Sequence, residues 1–299
     1  MSHEPAPKLP PLSDVISRHG LTPRKRYGQH FLLDPHITER IARLAGDLRG
    51  VEVLEIGSGP GGLTRAVVAA GAKRTICVER DARFLPALGE IEAAFPGRVT
   101  VIGADALEID EASLLRGRAR IIANLPYNIA TPLLFKWLAL GTRLEGMTLM
   151  FQREVAERLV AAPRTRAYGR LAVMCQWHCD VRRAFEVPPG AFVPAPKVTS
   201  AVVLLTPRAA PPAPADPRAL RTVVGAAFGQ RRKMLRSSLK NLGTDPLALL
   251  DAAGVAPTVR AETLCVEEFC ALARAYEDVA SRVALDPRVK PEGDKKGSA

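Results

Sequence analysis

With 299 residues, 47% of them hydrophobic, the chain has enough apolar material for one large domain and a smaller one, which excludes a wholly disordered protein. Lys and Arg number 42 against 31 Asp and Glu, and the resulting net charge of +11 points to a polyanionic partner such as nucleic acid. No apolar run reaches the ~20 residues that span a bilayer, and residues 1–12 lack the apolar core of a signal peptide, so a cytoplasmic protein with no membrane association is expected.

In chain order, residues 1–22 hold prolines at 5, 7, 10 and 11 and read as a flexible segment. Arg24-Lys25-Arg26 is a basic triplet, followed by Gly28 as a hinge and the apolar anchors Phe31, Leu32 and Leu33. Asp34-Pro35 reads as an N-cap with proline at the first helical position. The helix they open carries Ile37, Ile41 and Leu44. A βαβ alternation follows. Strands are predicted at 51–56, 75–79, 98–102, 119–123 and 146–151. Helices are predicted at 62–70, 81–94, 131–140 and 153–161. Apolar strands alternating with helices imply a doubly wound parallel sheet. Residues 171–206 hold strand-like pieces around a proline-rich loop at 187–196. Residues 207–217 contain five prolines and read as a linker. Residues 218–285 show only helical periodicity, and 286–299 read as a disordered charged tail. The expected domain plan is therefore a flexible segment (1–22), an α/β domain (23–206), a linker (207–217), a small all-helical domain (218–285) and the tail. Five cysteines form no C-x-x-C pair, and no Cys/His group has zinc spacing. Reduced thiols and no metal are expected.

Ligands of open parallel sheets sit at the carboxyl ends of the strands. Four such ends carry residues that a plain structural role does not require. The first is the glycine-rich turn from Gly57 to Gly62, which offers bare backbone to a nucleotide-like ligand. The second is Glu79, an acid placed to accept ribose hydroxyls. The third is Asp105, whose carboxylate suits an adenine amino group. The fourth is Asn124-Leu125-Pro126-Tyr127. A glycine turn with a ribose acid fits both NAD and S-adenosylmethionine, and the fourth strand end separates them. The Asn124 side-chain oxygen and the Leu125 carbonyl, spaced by the rigid Pro126, form two acceptors for one exocyclic amino group, and Tyr127 offers a stacking face. An amino-methyltransferase needs such a site, whereas a hydride-transfer enzyme does not. The base must leave its stack to enter, and Phe192, in a proline-stiffened loop, is the candidate for a second stacking face. Each residue also has an ordinary explanation: a strand-end acid, a cap, a tight turn, a core phenylalanine.

Residues 221–240 hold Arg221, Arg231, Arg232, Lys233, Arg236 and Lys240 with no acid between them. At helical spacing beside apolar residues, these cations suit RNA phosphates. Arg24, Lys25 and Arg26 form a second basic group.

Several of these motifs match a known family. Gly28-Gln-His-Phe-Leu32, Glu55-Ile-Gly-Ser-Gly-Pro-Gly61, Asn124-Leu-Pro-Tyr-Asn-Ile129, Phe151-Gln-Arg-Glu-Val-Ala156 and Phe228-Gly-Gln-Arg-Arg-Lys233 together resemble the ribosomal RNA adenine N6-dimethyltransferases. The last motif resembles the branch acting on bacterial 16S rRNA. The resemblance runs from about Arg24 to Phe269. It implies a Rossmann-like S-adenosylmethionine-dependent methyltransferase domain with a small C-terminal all-helical domain. It places donor contacts on His30, Leu32, Gly57, Glu79, Asp105 and Asn124, with His30 standing where the family usually has Asn. It implies dimethylation of two adjacent adenosines in the 3′-terminal hairpin loop of 16S rRNA, on the immature 30S subunit, by a monomer. Asn124, Tyr127 and Phe192 are then the catalytic candidates, and Arg231, Arg232, Lys233 and Arg236 the RNA-binding ones. The alternatives are an assembly factor acting mainly by binding, and another nucleic-acid adenine methyltransferase.

Overall fold

The computed structural model describes residues 7–24 and 28–285. Lys25 and Arg26 of the basic triplet, and the tail from 286 to 299, lie outside the described residues. Within them the chain divides into two compact units. One comprises the chain up to Val160 and again from His178 to Ala209; the other comprises Ala161–Trp177 and the chain from Ala210 onward.

The first unit is built on a seven-stranded sheet in the order β4-β3-β2-β5-β6-β9-β7. The strands are β2 (Glu52–Ile56), β3 (Arg74–Glu79), β4 (Val99–Gly103), β5 (Ala119–Asn124), β6 (Leu144–Gln152), β7 (Cys179–Val187) and β9 (Ser200–Pro207). The pairs from β4 through β6 are parallel, and β9 pairs antiparallel with both β6 and β7. Every residue of β2 is buried, as expected of a strand covered on both faces. Strand order reverses between β2 and β5, because β3 follows β2 on one side while β5 lies on the other. That reversal is where ligands of such sheets bind.

Helices α2 (Pro35–Leu44), α3 (Gly62–Ala69), α4 (Leu85–Ala94), α5 (Glu111–Leu114), α6 (Ala130–Leu138) and α7 (Arg153–Leu159) cover the sheet. Asp34 caps α2 by accepting from His36 N–H at 2.8 Å, with Pro35 at the first helical position. A short antiparallel pair joins β1 (Phe31–Leu32) to β8 (Phe192–Val193).

Residues 12–18 depart from the expected flexible segment. They form α1 (Leu12–Arg18), with Pro11 as its N-cap. Pro10 and Pro11 precede the helix and start it, whereas inside they would break it. Val15 is buried with Leu88 and Ile91, and Arg18 and His19 both bond Glu90 on α4.

The second unit contains α8 (Arg170–His178, to Trp177), α9 (Pro217–Gly229), α10 (Leu235–Ser238), α11 (Pro246–Ala252) and α12 (Val266–Leu285). Two boundaries therefore differ from the sequence expectation. Residues 161–177 pack with the C-terminal helices, and α8 replaces a stretch read as strand-like. In α8, Ala172, Val173, Met174, Cys175 and Trp177 are all buried. A helix buried on every side shows no amphipathic period, so its apolar run mimics a buried strand. The linker is also tied down: Trp177 Nε1 donates to Ala213 O at 3.0 Å, and Arg274 donates to Pro214 O. Asp216 caps α9 through Arg218 and Ala219 N–H.

Candidate active site and basic surface

A cavity of about 330 Å³ opens at the strand-order reversal, lined from 28–32, 55–60, 62–63, 78–81, 104–106 and 124–129, with Phe84. His30, Leu32, Gly57, Glu79, Asp105, Asn124 and Tyr127 all line it. Positions separated by almost 100 residues of chain thus meet at one place.

Gly57 follows β2 with φ +71°, and a Cβ there would stand 3.5 Å from Pro126 Cδ. The glycine turn thus runs alongside the Asn124–Tyr127 segment. Gly61 has φ +89°, and a Cβ on it would sit 2.5 Å from Ile91 Cδ1, so a side chain there would strain the backbone and displace Ile91 as the chain enters α3.

Glu79 is 7% exposed. One carboxylate oxygen accepts from Gly59 N–H at 2.9 Å and the other from Asp81 N–H at 2.8 Å. Burial raises its carboxyl above the ordinary range, against the lowering effect of those backbone donors. Each oxygen keeps a lone pair for a hydroxyl. Asp105 accepts from Leu107 N–H at 3.0 Å and pairs with the exposed Arg80 at 2.9 Å. It therefore both caps its own loop and presents a carboxylate to the cavity.

Asn124 ends β5, and among the described residues its carboxamide has no hydrogen-bond partner. The Tyr127 hydroxyl is 2.7 Å from Ser200 Oγ, which fixes the ring, and burial raises its pKa. The aromatic neighbour of Tyr127 is His30, with ring centroids 6.1 Å apart and planes tilted by 29°. His30 Nδ1 lies 2.7 Å from Pro194 O. A carbonyl only accepts, so Nδ1 carries the proton and Nε2 of the neutral ring is an acceptor.

Phe192 is corrected by the structure. Its ring is 3% exposed and packs in the core with Leu32, Ile41 and Val202. Phe192 pairs with Leu32 in the β1–β8 ladder, so it supports the wall of the cavity and does not line it. An aromatic in a proline-rich loop gives no sign of which way its ring faces.

Three residues that sequence reasoning missed hold the Asp105 loop. Lys136 Nζ donates to Ala106 O at 3.0 Å and to Ile109 O, and pairs with Glu111 at 3.0 Å. The other Glu111 oxygen accepts from Trp137 Nε1 at 2.8 Å. The sign in the sequence was faint: a lysine within an otherwise apolar helix. Glu55, also lining the cavity, is 1% exposed, with the Thr64 and Ser58 hydroxyls and the Cys77 thiol, at 3.8 Å, as its hydrogen-bonding neighbours.

In the helical unit, Arg231, Arg232, Lys233 and Arg236 are exposed. They do not share one helix face. Helix α9 ends at Gly229, and a turn carries Arg231–Met234 to α10. Arg231 is balanced by a distant acid, Glu262, at 3.1 Å.

A reversal-point cavity of this kind, with an acid on each of two neighbouring strand ends and an Asn-Leu-Pro-Tyr segment on a third, defines a Rossmann-like S-adenosylmethionine-dependent methyltransferase. Within that class the assignment narrows. The chain belongs to the ribosomal RNA adenine dimethylase family, whose model matches residues 20–278. Curated relatives include "Ribosomal RNA small subunit methyltransferase A" of Jannaschia sp. (strain CCS1), 58% identical over 274 residues, 91% of this chain and 95% of that one. The protein of the same name from Rhodopseudomonas palustris (strain HaA2) is 58% identical over 275 residues, 91% and 96% of the two chains. Among solved structures, the 23S rRNA methyltransferase ErmE aligns with a TM-score of 0.63 at 28% identity, covering 83% of this chain and 99% of that one. A dimethyladenosine transferase from Plasmodium falciparum shares the fold with a TM-score of 0.71 at 24% identity, over 84% and 98%. The protein is an enzyme that dimethylates adenine in ribosomal RNA.

Proposed function

We propose that the protein transfers methyl groups from S-adenosylmethionine to the N6 amino groups of two adjacent adenosines in the 3′-terminal hairpin loop of 16S rRNA, on the immature 30S subunit. The cavity suits the donor: Glu79 keeps lone pairs for ribose hydroxyls, Asp105 one for the adenine amino group, and the glycine turn leaves backbone open to the amino-acid portion. His30 and Leu32 stand at the same wall. The donor supplies an electrophilic methyl on a sulfonium. The protein's share of the chemistry is placement. The Asn124 side-chain oxygen and the Leu125 carbonyl accept the two amino hydrogens of the target base, which orients the nitrogen lone pair. Tyr127, held by Ser200, stacks on that base, and His30 is the ring nearest to it. The cations of the helical unit, Arg231, Arg232, Lys233 and Arg236, hold the RNA backbone.

The observation that carries this reading is the carboxamide of Asn124, which opens onto the same cavity as Glu79 and Asp105 and has no hydrogen-bond partner among the described residues. To test it, small subunits lacking the modification are incubated with labelled donor, and the product is mapped by mass spectrometry. Dimethyladenosine at two neighbouring positions is expected. Label elsewhere, or none, refutes the assignment. Asn124→Ala should lose at least about 100-fold in methyl transfer, in line with removing a group that positions the reacting atom.

A further inference from the structure

Residues 161–177 pack with the C-terminal helices, which sets a basic loop beside the turn bearing Arg231–Lys233. The loop is stiff. Thr165 bonds Ala162 O through both its hydroxyl and its N–H, at 2.7 and 3.2 Å. Tyr168 is fully buried with its ring against Phe228. Two connections fix the loop to the basic turn. Arg231 donates to Arg166 O at 2.6 Å while pairing with Glu262, and the Glu262 carbonyl accepts from Arg164 N–H at 2.7 Å. The side chains of Arg164 and Arg166 are exposed. Glu262 is already paired with Arg231, and among the described residues Arg164, Arg166, Arg232 and Lys233 have no ion pair.

Arg164 has φ +69°, and every other positive-φ position among the described residues is a glycine. The left-handed region strains a residue with a Cβ, whereas glycine adopts it freely. Backbone shape alone therefore calls for glycine at 164. Strain of this kind concentrates at functional positions.

We propose that the 162–168 loop is a second RNA-contacting arm, in which the guanidinium groups of Arg164 and Arg166 bind RNA phosphates alongside Arg232 and Lys233. The proposal rests on reading Arg231–Lys233 as an rRNA surface, and the test keeps the two apart. Binding of the full-length protein to unmethylated small subunits is measured across a salt series. Each lost phosphate contact makes the slope of log affinity against log salt shallower by about 0.7–0.9. Arg164→Gly is expected to lose one such increment while its Tm stays level or rises, because glycine relieves the backbone. Arg164→Lys keeps the charge and should keep the slope. Arg166→Gln should lose a second increment, additive with the first. Donor binding by calorimetry should be unchanged in all three. A lower Tm for Arg164→Gly with an unchanged slope makes Arg164 structural and overturns the proposal. Arg232→Gln/Lys233→Gln supplies the comparison. If that pair loses slope and the loop variants do not, the loop is no arm and the surface reading survives. If neither does, the surface reading fails and takes the arm with it.

Discussion

Glu55 is a carboxyl almost without water, 1% exposed, in a cavity wall where the Thr64 and Ser58 hydroxyls and the Cys77 thiol only partly offset its burial. Burial pushes its pKa from 4.5 to about 7. A raised acid stabilises the fold while it stays protonated. That contribution is complete below about pH 4.5 and is lost as pH climbs through about 7. The shift corresponds to about 3 kcal/mol. Glu55→Gln cannot titrate, so its unfolding free energy relative to wild type should rise by about 3 kcal/mol between pH 4.5 and 8. Urea denaturation at a series of pH values checks this, and a constant difference contradicts it. At Gly57, with φ +71°, a β-branched residue meets backbone strain of roughly 1–2 kcal/mol. Its side chain also grows toward Pro126, whose Cδ lies 3.5 Å from the Cβ position. Gly57→Val should weaken donor binding at least about tenfold by calorimetry, for a loss of roughly 1.4 kcal/mol or more, with RNA affinity unchanged. The glycine turn, Glu79, Asp105 and Asn124 were legible in the sequence because each ends an apolar run and strand ends converge in this class of sheet. Phe192 was not, because the ring direction in a loop depends on which strand the loop pairs with, here β1. Glu55 was invisible as a chemical group because, within β2, it reads as one more strand residue.

At the scale of elements, the loop between β4 and α5, capped by its own Asp105, is tied to α6 through one ammonium. The three donors of Lys136 meet the carbonyls of Ala106 and Ile109 and the Glu111 carboxylate, whose side chain is 3% exposed. Asp105 stands at the head of that loop. Lys136→Met leaves Glu111 buried and unpaired, which costs about 3 kcal/mol. The double variant Lys136→Met/Glu111→Gln should recover most of that stability, since the Gln carbonyl can still accept from Trp137. It should not recover donor affinity, because the two loop carbonyls remain without their shared donor. Thermal melts and donor calorimetry on the same samples separate the two effects; recovery of both would reduce Lys136 to a purely structural role. The regular elements of the sheet unit were legible because their period matched their burial. The exceptions have physical causes. Helix α8 is buried all round and shows no amphipathic stripe. Helix α1 follows prolines that start a helix as readily as they stop one. The 230–234 turn interrupts a run of cations that, by spacing alone, continues as a helix.

For the whole molecule, the helical unit is assembled from two separate lengths of chain, and no linker composition marks where the first begins. The sequence shows a linker at 207–217 because prolines cluster there; it shows nothing at 160 or 178, where the chain passes between units without a break in character. The inserted length supplies more than a connection. Tyr168 is wholly buried and Trp177 is 6% exposed. The rings of Tyr168, Phe228 and Phe269 form a continuous row, with centroids 6.1 and 5.6 Å apart. An aromatic side chain buries about 150–250 Å², which at about 25 cal/mol per Å² is roughly 4–6 kcal/mol apiece. A small domain's entire stability is about 5–15 kcal/mol, so losing both rings removes most of what the unit has. A fragment spanning residues 210–285 should therefore show helical circular dichroism without a cooperative melt. Fusing residues 161–177 ahead of it through a flexible Gly/Ser linker should restore the cooperative transition, and Tyr168→Ala in that fusion should remove about 3–5 kcal/mol of it. A sharp melt from 210–285 alone would mean that the C-terminal helices close their own core and that the inserted length merely rests on it.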